Sequence, residues 1–88
     1  MTDDENLTAL VEHLRATEER PCEARANQWL GEAQAVAEDA AEGDLAPETV
    51  EQRLGHVREL LSHVDGTGDE VADEHVAAAR RLVATLLD

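Results

Sequence analysis

The sequence predicts an all-α protein, a four-helix antiparallel bundle in up-down-up-down order. Apolar residues recur every three or four positions in four segments, which is the spacing of a buried helix face. Pro21, Pro47 and the Gly-rich cluster at 65–69 separate these segments. No stretch alternates like a strand, and Ile, Phe and Tyr are absent. Short joints make successive helices antiparallel neighbours, with dimerisation as the alternative way to complete an Ala-rich core.

The first two helices are predicted over residues 4–19 and 21–42. Thr2 is a candidate N-cap, because an acidic residue follows three positions later as in a capping box. Pro21 is expected at the first position of the second helix, and Gly43 is expected to end it. The apolar positions of these helices are Leu7, Leu10, Val11 and Leu14 in the first, and Cys22, Ala26, Trp29, Leu30, Ala33, Val36, Ala37 and Ala40 in the second.

The third and fourth helices are predicted over residues 47–64 and 69–87. Pro47 suits the first turn of the third helix. Thr67 is the predicted N-cap of the fourth helix, since Glu70 stands three residues later. The apolar positions are Val50, Leu54, Val57, Leu61 and Val64 in the third, and Val71, Ala72, Val76, Ala79, Leu82, Val83, Leu86 and Leu87 in the fourth. At 88 residues, the chain has room for one helical domain, residues 1–88.

The charge of the chain predicts a salty environment. The chain contains twenty-one acidic residues but only seven Arg and no Lys, so its formal net charge is −14. Such a charge opposes compaction in dilute buffer, whereas molar salt shortens the screening length to about 3 Å. We therefore expect a halophilic protein with loosely bound salt cations on its acidic surface.

Composition also excludes several function classes. Nucleic-acid binding needs a basic stripe, and Arg80–Arg81 is the only adjacent basic pair. No apolar run approaches the roughly 18 residues of a membrane span, and the acidic N-terminus is unlike a secretory signal. The sequence predicts a cytoplasmic protein that binds neither nucleic acid nor membranes.

The large apolar residues of the middle two helices are the candidate core and interaction anchors. They are Trp29, Leu30, Val36, Leu54, Val57 and Leu61. Trp29 is the single aromatic residue of the Phe, Tyr and Trp class, and Trp leads the residue types found at interface hot spots. The alternative is that Trp29 fills the core and directs its indole N–H to an acceptor at the rim.

A stripe of His56, Glu59 and His63 on the third helix is the candidate metal site. Glu59 can pair with His63 or with His56 as ligands of one divalent ion. The two histidines would lie about 10.5 Å apart along the axis, so a complete site needs ligands from elsewhere, such as His13 or His75. The alternative is that the stripe is the polar flank of an amphipathic helix.

Cys22 is the only cysteine, which excludes an intrachain disulfide. Its place near a predicted helix N-terminus would favour a reactive thiolate. The surrounding glutamates oppose ionisation, so a buried small apolar residue is the preferred interpretation.

Two segments, PCEARANQWLGEA (21–33) and GHVRELLSHVDGTGD (55–69), resemble a group of small, acidic, uncharacterised haloarchaeal proteins. The resemblance implies a helical fold and a haloarchaeal cytoplasmic source, and it implies no functional residue.

These observations favour a non-enzymatic module that associates with itself, as a dimer, or with another helical protein. The alternative is a divalent-metal-binding protein using the His56/Glu59/His63 stripe. A catalytic thiol at Cys22 is the third hypothesis. We expect no enzymatic activity and no cofactor.

Overall fold

The computed structural model describes residues 3–88, which form four α-helices packed as a bundle. The helices are α1 (Asp3–Glu18), α2 (Ala24–Ala40), α3 (Pro47–Ser62) and α4 (Glu70–Leu87). Each helix packs against its two neighbours in cyclic order, α1 on α2, α2 on α3, α3 on α4, and α4 on α1. No strand occurs within residues 3–88. The predicted all-α four-helix bundle is confirmed.

The start of α2 differs from the prediction. Pro21 was expected to open the helix, but the first helical residue is Ala24 and Glu23 precedes it with an extended ψ of 145°. The reason is a tertiary contact, because the Glu23 backbone N–H donates to the Thr67 carbonyl at 2.7 Å. This bond holds residues 21–23 against the α3–α4 connection instead of in a first helical turn.

The N-cap of α4 is Asp69, so the assignment of this role to Thr67 is wrong. The Asp69 carboxylate accepts a hydrogen bond from the Ala72 N–H at 2.9 Å, which satisfies a backbone donor of the first turn. Thr67 is fully buried two residues earlier. The predicted cap at Thr2 lies outside the described residues.

The core is built from leucine, valine and alanine contributed by all four helices. Its best-buried large side chains, all at most 1% exposed, are Leu10, Leu14, Val57, Leu61 and Val83. Ala33, Ala37 and Ala79 are also completely buried, and their small size allows the helices to approach closely. The radius of gyration of 12.0 Å equals the value of about 12 Å expected for a compact chain of this length. One chain therefore forms this core.

Two helix positions, Gly31 in α2 and Val71 in α4, are exposed at the surface. Gly31 has no atom within 4 Å of where a Cβ would stand, so α2 tolerates this glycine without a close backbone neighbour. Val71, predicted as part of the apolar face of α4, is 41% exposed. None of the helices within residues 3–88 has the length and apolar character that crossing a membrane requires.

Candidate functional site

The up-down-up-down order gives the bundle two unlike ends. At the joint end, the α1–α2 connection (19–23) meets the α3–α4 connection (63–69). At the terminal end, the α2–α3 connection (41–46) lies beside the first turn of α1 and the last turn of α4. Most of the polar and aromatic side-chain contacts between separate elements lie at or near the joint end.

An ion pair joins the two connections at the joint end. The Arg20 guanidinium donates two hydrogen bonds to the Asp69 carboxylate, at 2.9 and 3.0 Å. Only 13% of the Asp69 side chain is exposed. The paired guanidinium, helped by the Ala72 N–H, lowers the pKa of the Asp69 carboxyl. Bidentate pairing fixes geometry as well as charge, so Asp69 both caps α4 and holds α1 beside it.

Thr67 organises the backbone of the α3–α4 connection. Its Oγ1 lies 2.8 Å from Asp73 Oδ1 and accepts a hydrogen bond from the Asp69 N–H at 3.1 Å. Its own N–H donates to Asp73 Oδ1 at 2.9 Å, and its carbonyl accepts the bond from Glu23. Thr67, which has no exposed surface, thus links the α3–α4 segment to α4 and to the start of α2.

A groove at the joint end contains the one Trp of the chain. The Trp29 and His63 rings stack with their centroids 4.3 Å apart and an interplanar angle of 18°. The groove has a volume of about 440 Å³, and charged groups from Glu23, Arg25 and Asp65 share its walls with these rings. We call it the Trp29 groove; its complete lining is Glu23, Arg25, Ala26, Trp29, Ser62, His63, Asp65 and Gly66. An aromatic platform with charges of both signs at its rim has the chemistry of a recognition surface.

The six predicted anchors separate into two groups. Four lie in the core, with at most 3% of each residue exposed: Leu30, Leu54, Val57 and Leu61. Trp29 and Val36 are only partly buried and pack against the edge of that core. Of the six predicted anchors, only Trp29 and Val36 therefore have surface that a partner could contact in the folded state, since the other four are buried in the core.

The histidine stripe of α3 is spread over the surface. His56 and Glu59 are exposed, and His63 follows the last helical residue and stacks on Trp29. Within residues 3–88, no three or more His, Cys, Asp or Glu side chains are grouped so that they could hold a metal ion. A metal on this stripe would need further ligands from another molecule or from water.

The structure brings together two histidines that the sequence suggested only as outside ligands for that stripe. His13 Nδ1 on α1 and His75 Nδ1 on α4 lie 2.9 Å apart. Both side chains are half-buried. Burial and then the neighbouring His75 lower the pKa of His13, against the opposing effect of Glu12. The sequence placed His13 and His75 at the edges of the apolar faces of two different helices. It did not indicate that the two side chains would meet.

Cys22 lies in the segment between α1 and α2, where its Sγ is 3.6 Å from the Thr17 carbonyl oxygen. Burial raises the pKa of this thiol, although a hydrogen bond to Thr67 opposes the shift. Because the thiolate is the nucleophilic form, this environment disfavours the reactive-cysteine hypothesis.

A family model described as Domain of unknown function (DUF8152) matches residues 6–88. The chain belongs to the DUF8152 family. Neither curated proteins nor solved structures gave a match. The match includes all of α2, α3 and α4 and most of α1, so the family description applies to the bundle as a whole.

Membership of the DUF8152 family is consistent with the resemblance to uncharacterised proteins. It carries no chemistry, so any functional assignment rests on the site itself. The contacts that sequence reasoning missed, between Arg20 and Asp69 and between His13 and His75, join residues 49 and 62 positions apart. Helix periodicity places such residues on faces and does not say which ones meet.

Proposed function

We propose that the chain is a non-enzymatic interaction module that recognises its partner through the Trp29 groove. The observation that carries this proposal is the place of Trp29, which packs against the edge of the core while also lining an open groove with His63. Trp buries a large area at little cost in side-chain entropy, and it is enriched at interface hot spots. Arg25, Glu23 and Asp65 provide a charged rim around it.

The partner that we propose is a second copy of this chain, giving a homodimer, or another helical protein. The charge of −14 opposes self-association in dilute buffer, because two copies repel each other. In concentrated salt this repulsion is screened, and stacking and apolar contacts at the Trp29 groove can dominate. We accordingly propose a halophilic protein of a salty, haloarchaeal-type cytoplasm, with salt cations loosely held at the acidic surface.

An interaction role is preferred to catalysis because the one nucleophile considered, Cys22, has a raised pKa and a partly buried sulfur. The metal alternative has less support. Its residues His56, Glu59 and His63 do not form a three-ligand group, and His63 contributes its ring face to Trp29.

The proposal is tested by measuring molecular mass with light scattering in concentrated KCl. We expect the wild-type chain to associate, and Trp29→Ala and Arg25→Glu each to reduce the associated fraction. Arg25 is exposed, so its substitution changes the groove and not the core, whereas Trp29→Ala removes packing as well. Val71→Ala is the matched control, because Val71 is an exposed apolar residue on α4 that does not line the groove.

The outcomes distinguish the two partners. Association that Arg25→Glu leaves unchanged would show that another surface mediates self-contact. A chain that remains monomeric at high concentration would contradict the homodimer, and a high-salt pull-down with Arg25→Glu as the negative control would then test a helical partner. Lowering KCl from multimolar to about 0.1 M should reduce helicity or association, because screening weakens over that range.

A further inference from the structure

On the side of the bundle opposite the Trp29 groove, two imidazole rings meet across the α1–α4 contact. His13 Nδ1 and His75 Nδ1 lie 2.9 Å apart, with ring centroids separated by 5.2 Å and planes inclined by 46°. A hydrogen bond at this distance requires one Nδ1 to carry a proton and the other to present its lone pair. Two ring nitrogens that can each be a metal ligand thus face each other between two helices.

We propose that His13 and His75 form a two-imidazole binding site for a divalent transition-metal ion, with water in the remaining coordination positions. Imidazole ligands suit copper, nickel and zinc. With metal–nitrogen bonds of about 2.0–2.1 Å, two nitrogens at a right angle are about 2.9 Å apart, and at a tetrahedral angle about 3.3–3.4 Å apart. The spacing of 2.9 Å matches the nitrogen separation of a right-angled Cu²⁺ or Ni²⁺ site, and each ring must turn by about 45° from the hydrogen-bond line to direct its lone pair at the ion.

Protonation and charge at the pair are compatible with a cation. Neutral imidazole is the form that binds a metal, and a hydrogen bond between the two Nδ1 atoms already requires one of them to present its lone pair. The neutral pair needs only a tautomer change: the proton on one Nδ1 leaves to water, and another is taken up on the Nε2 of the same ring. The metal then replaces the shared proton, and no net proton is released.

The surroundings of the pair set the expected strength of binding. Glu12 on α1 favours positive charge at His13, whereas Arg81 on α4 opposes it. The two histidines are not part of any group of three or more ligands within residues 3–88, so water must complete the coordination sphere. Because the ligands come from α1 and α4, a bound ion crosslinks the first and last helices. Binding to the folded chain alone raises the free energy of unfolding.

The experiment is a titration with Ni²⁺ followed by calorimetry and by thermal unfolding, in a Cys22→Ser background that removes the thiol as a competing ligand. We expect one ion per chain and a rise in Tm. Since changes even in outer-shell partners weaken metal sites about 10–100-fold, His13→Gln and His75→Gln should each weaken binding by at least about tenfold. The double variant His56→Gln/Glu59→Gln, at two exposed stripe residues outside the Trp29 groove, is the matched control and should bind as tightly as the background chain.

A second readout does not depend on stability. The Cu²⁺ complex should show electron paramagnetic resonance coupling to two equatorial nitrogens, reduced to one in either single variant. Unchanged Ni²⁺ affinity in His13→Gln and His75→Gln would overturn the proposal, as would absence of binding. Loss of binding in the His56→Gln/Glu59→Gln control would instead assign the metal to the α3 stripe. The Trp29 groove is unaffected by either result, so this site and the proposed association are tested independently.

Discussion

The joint end and the terminal end of the bundle are held together by different kinds of interaction. At the joint end, Arg20, Thr67 and Asp69 make directional hydrogen bonds between the α1–α2 and α3–α4 connections. At the terminal end, mostly apolar residues line a groove of about 400 Å³, and Asp3, Asp4 and Glu51 complete its walls. The apolar residues at that groove include Leu7, Leu45, Pro47, Val50, Leu54 and Leu86.

This difference affects how precisely each end of the bundle is defined. Hydrogen bonds fix distance and angle, so the joint end determines where α2 and α4 begin. Apolar contacts are non-directional and depend on area, so the terminal end can adjust its packing more easily. The Trp29 groove and the His13–His75 pair both belong to the half of the bundle near the joint end, where the backbone is best defined by specific bonds.

The largest expected effect comes from removing the Thr67 hydroxyl. Thr67→Val keeps the shape of this fully buried side chain but removes the hydroxyl that accepts from the Asp69 N–H and bonds Asp73 Oδ1. Loss of a buried partner costs about 1–3 kcal/mol of unfolding free energy, measurable by chemical denaturation in concentrated KCl. Thr8→Val is the control, because the Thr8 hydroxyl is exposed and bonds only within α1. Equal effects of the two substitutions would contradict the special role of the joint end.

A glycine at each end provides a direct comparison. Gly43 and Gly68 both have positive φ, 90° and 83°, so an alanine at either position should cost about 1–2 kcal/mol in backbone strain. A Cβ on Gly68 would also stand 3.1 Å from Glu23 Cγ, whereas one on Gly43 has open space. We expect Gly68→Ala to lower the Tm more than Gly43→Ala. This extra loss of Tm at Gly68 should disappear in a Glu23→Ala background, because the crowding side chain is then gone. If the extra loss persisted, its cause would lie in the backbone.

The ion pairs should differ in strength. Arg20 pairs with Asp69 through two bonds, with 40% and 13% of the side chains exposed, whereas Arg15 pairs with Glu38 through one bond at 60% and 35%. Arg20→Gln should therefore lower the Tm more than Arg15→Gln, because exposed single-bond pairs contribute little. Since pairing lowers the pKa of Asp69, this stabilisation is present above the ordinary value of 3.8 and is lost as the pH falls through the lowered one. Equal Tm values for the two variants would show that salt screens both pairs alike.

The smallest expected effect is the pH dependence contributed by His13. Its pKa is lowered in the folded chain, so below its ordinary value of 6.5 the unfolded chain binds more protons and stability falls as the pH falls. The groups facing it are Glu12 on α1 and His75 and Arg81 on α4. His13→Gln should flatten the change in unfolding free energy between about pH 7 and 5.5. An unaltered slope would assign that pH dependence to other groups.

Helix content and helix faces were predictable from the sequence, because each depends on residues within a few positions of one another. The spacing of Leu10 and Leu14, and of Val57 and Leu61, placed them on core faces, and all four are buried. The start of α3 at Pro47 was predictable for the same reason, since proline acts on its own turn. Residue 31 shows the limit of such reasoning, since only the structure showed that the glycine in α2 has open space beside it.

The tertiary structure decided which distant residues meet. The start of α2 after Glu23 and the cap at Asp69 both depend on contacts between the two connections, so local signals at Pro21 and Thr67 predicted the wrong residue. Likewise, the sequence by itself put His13 and His75 on two helices, and the packing of α1 on α4 set their Nδ1 atoms 2.9 Å apart. Periodicity is a property of one helix, whereas a site between helices depends on their relative rotation and register, which only the packed core determines.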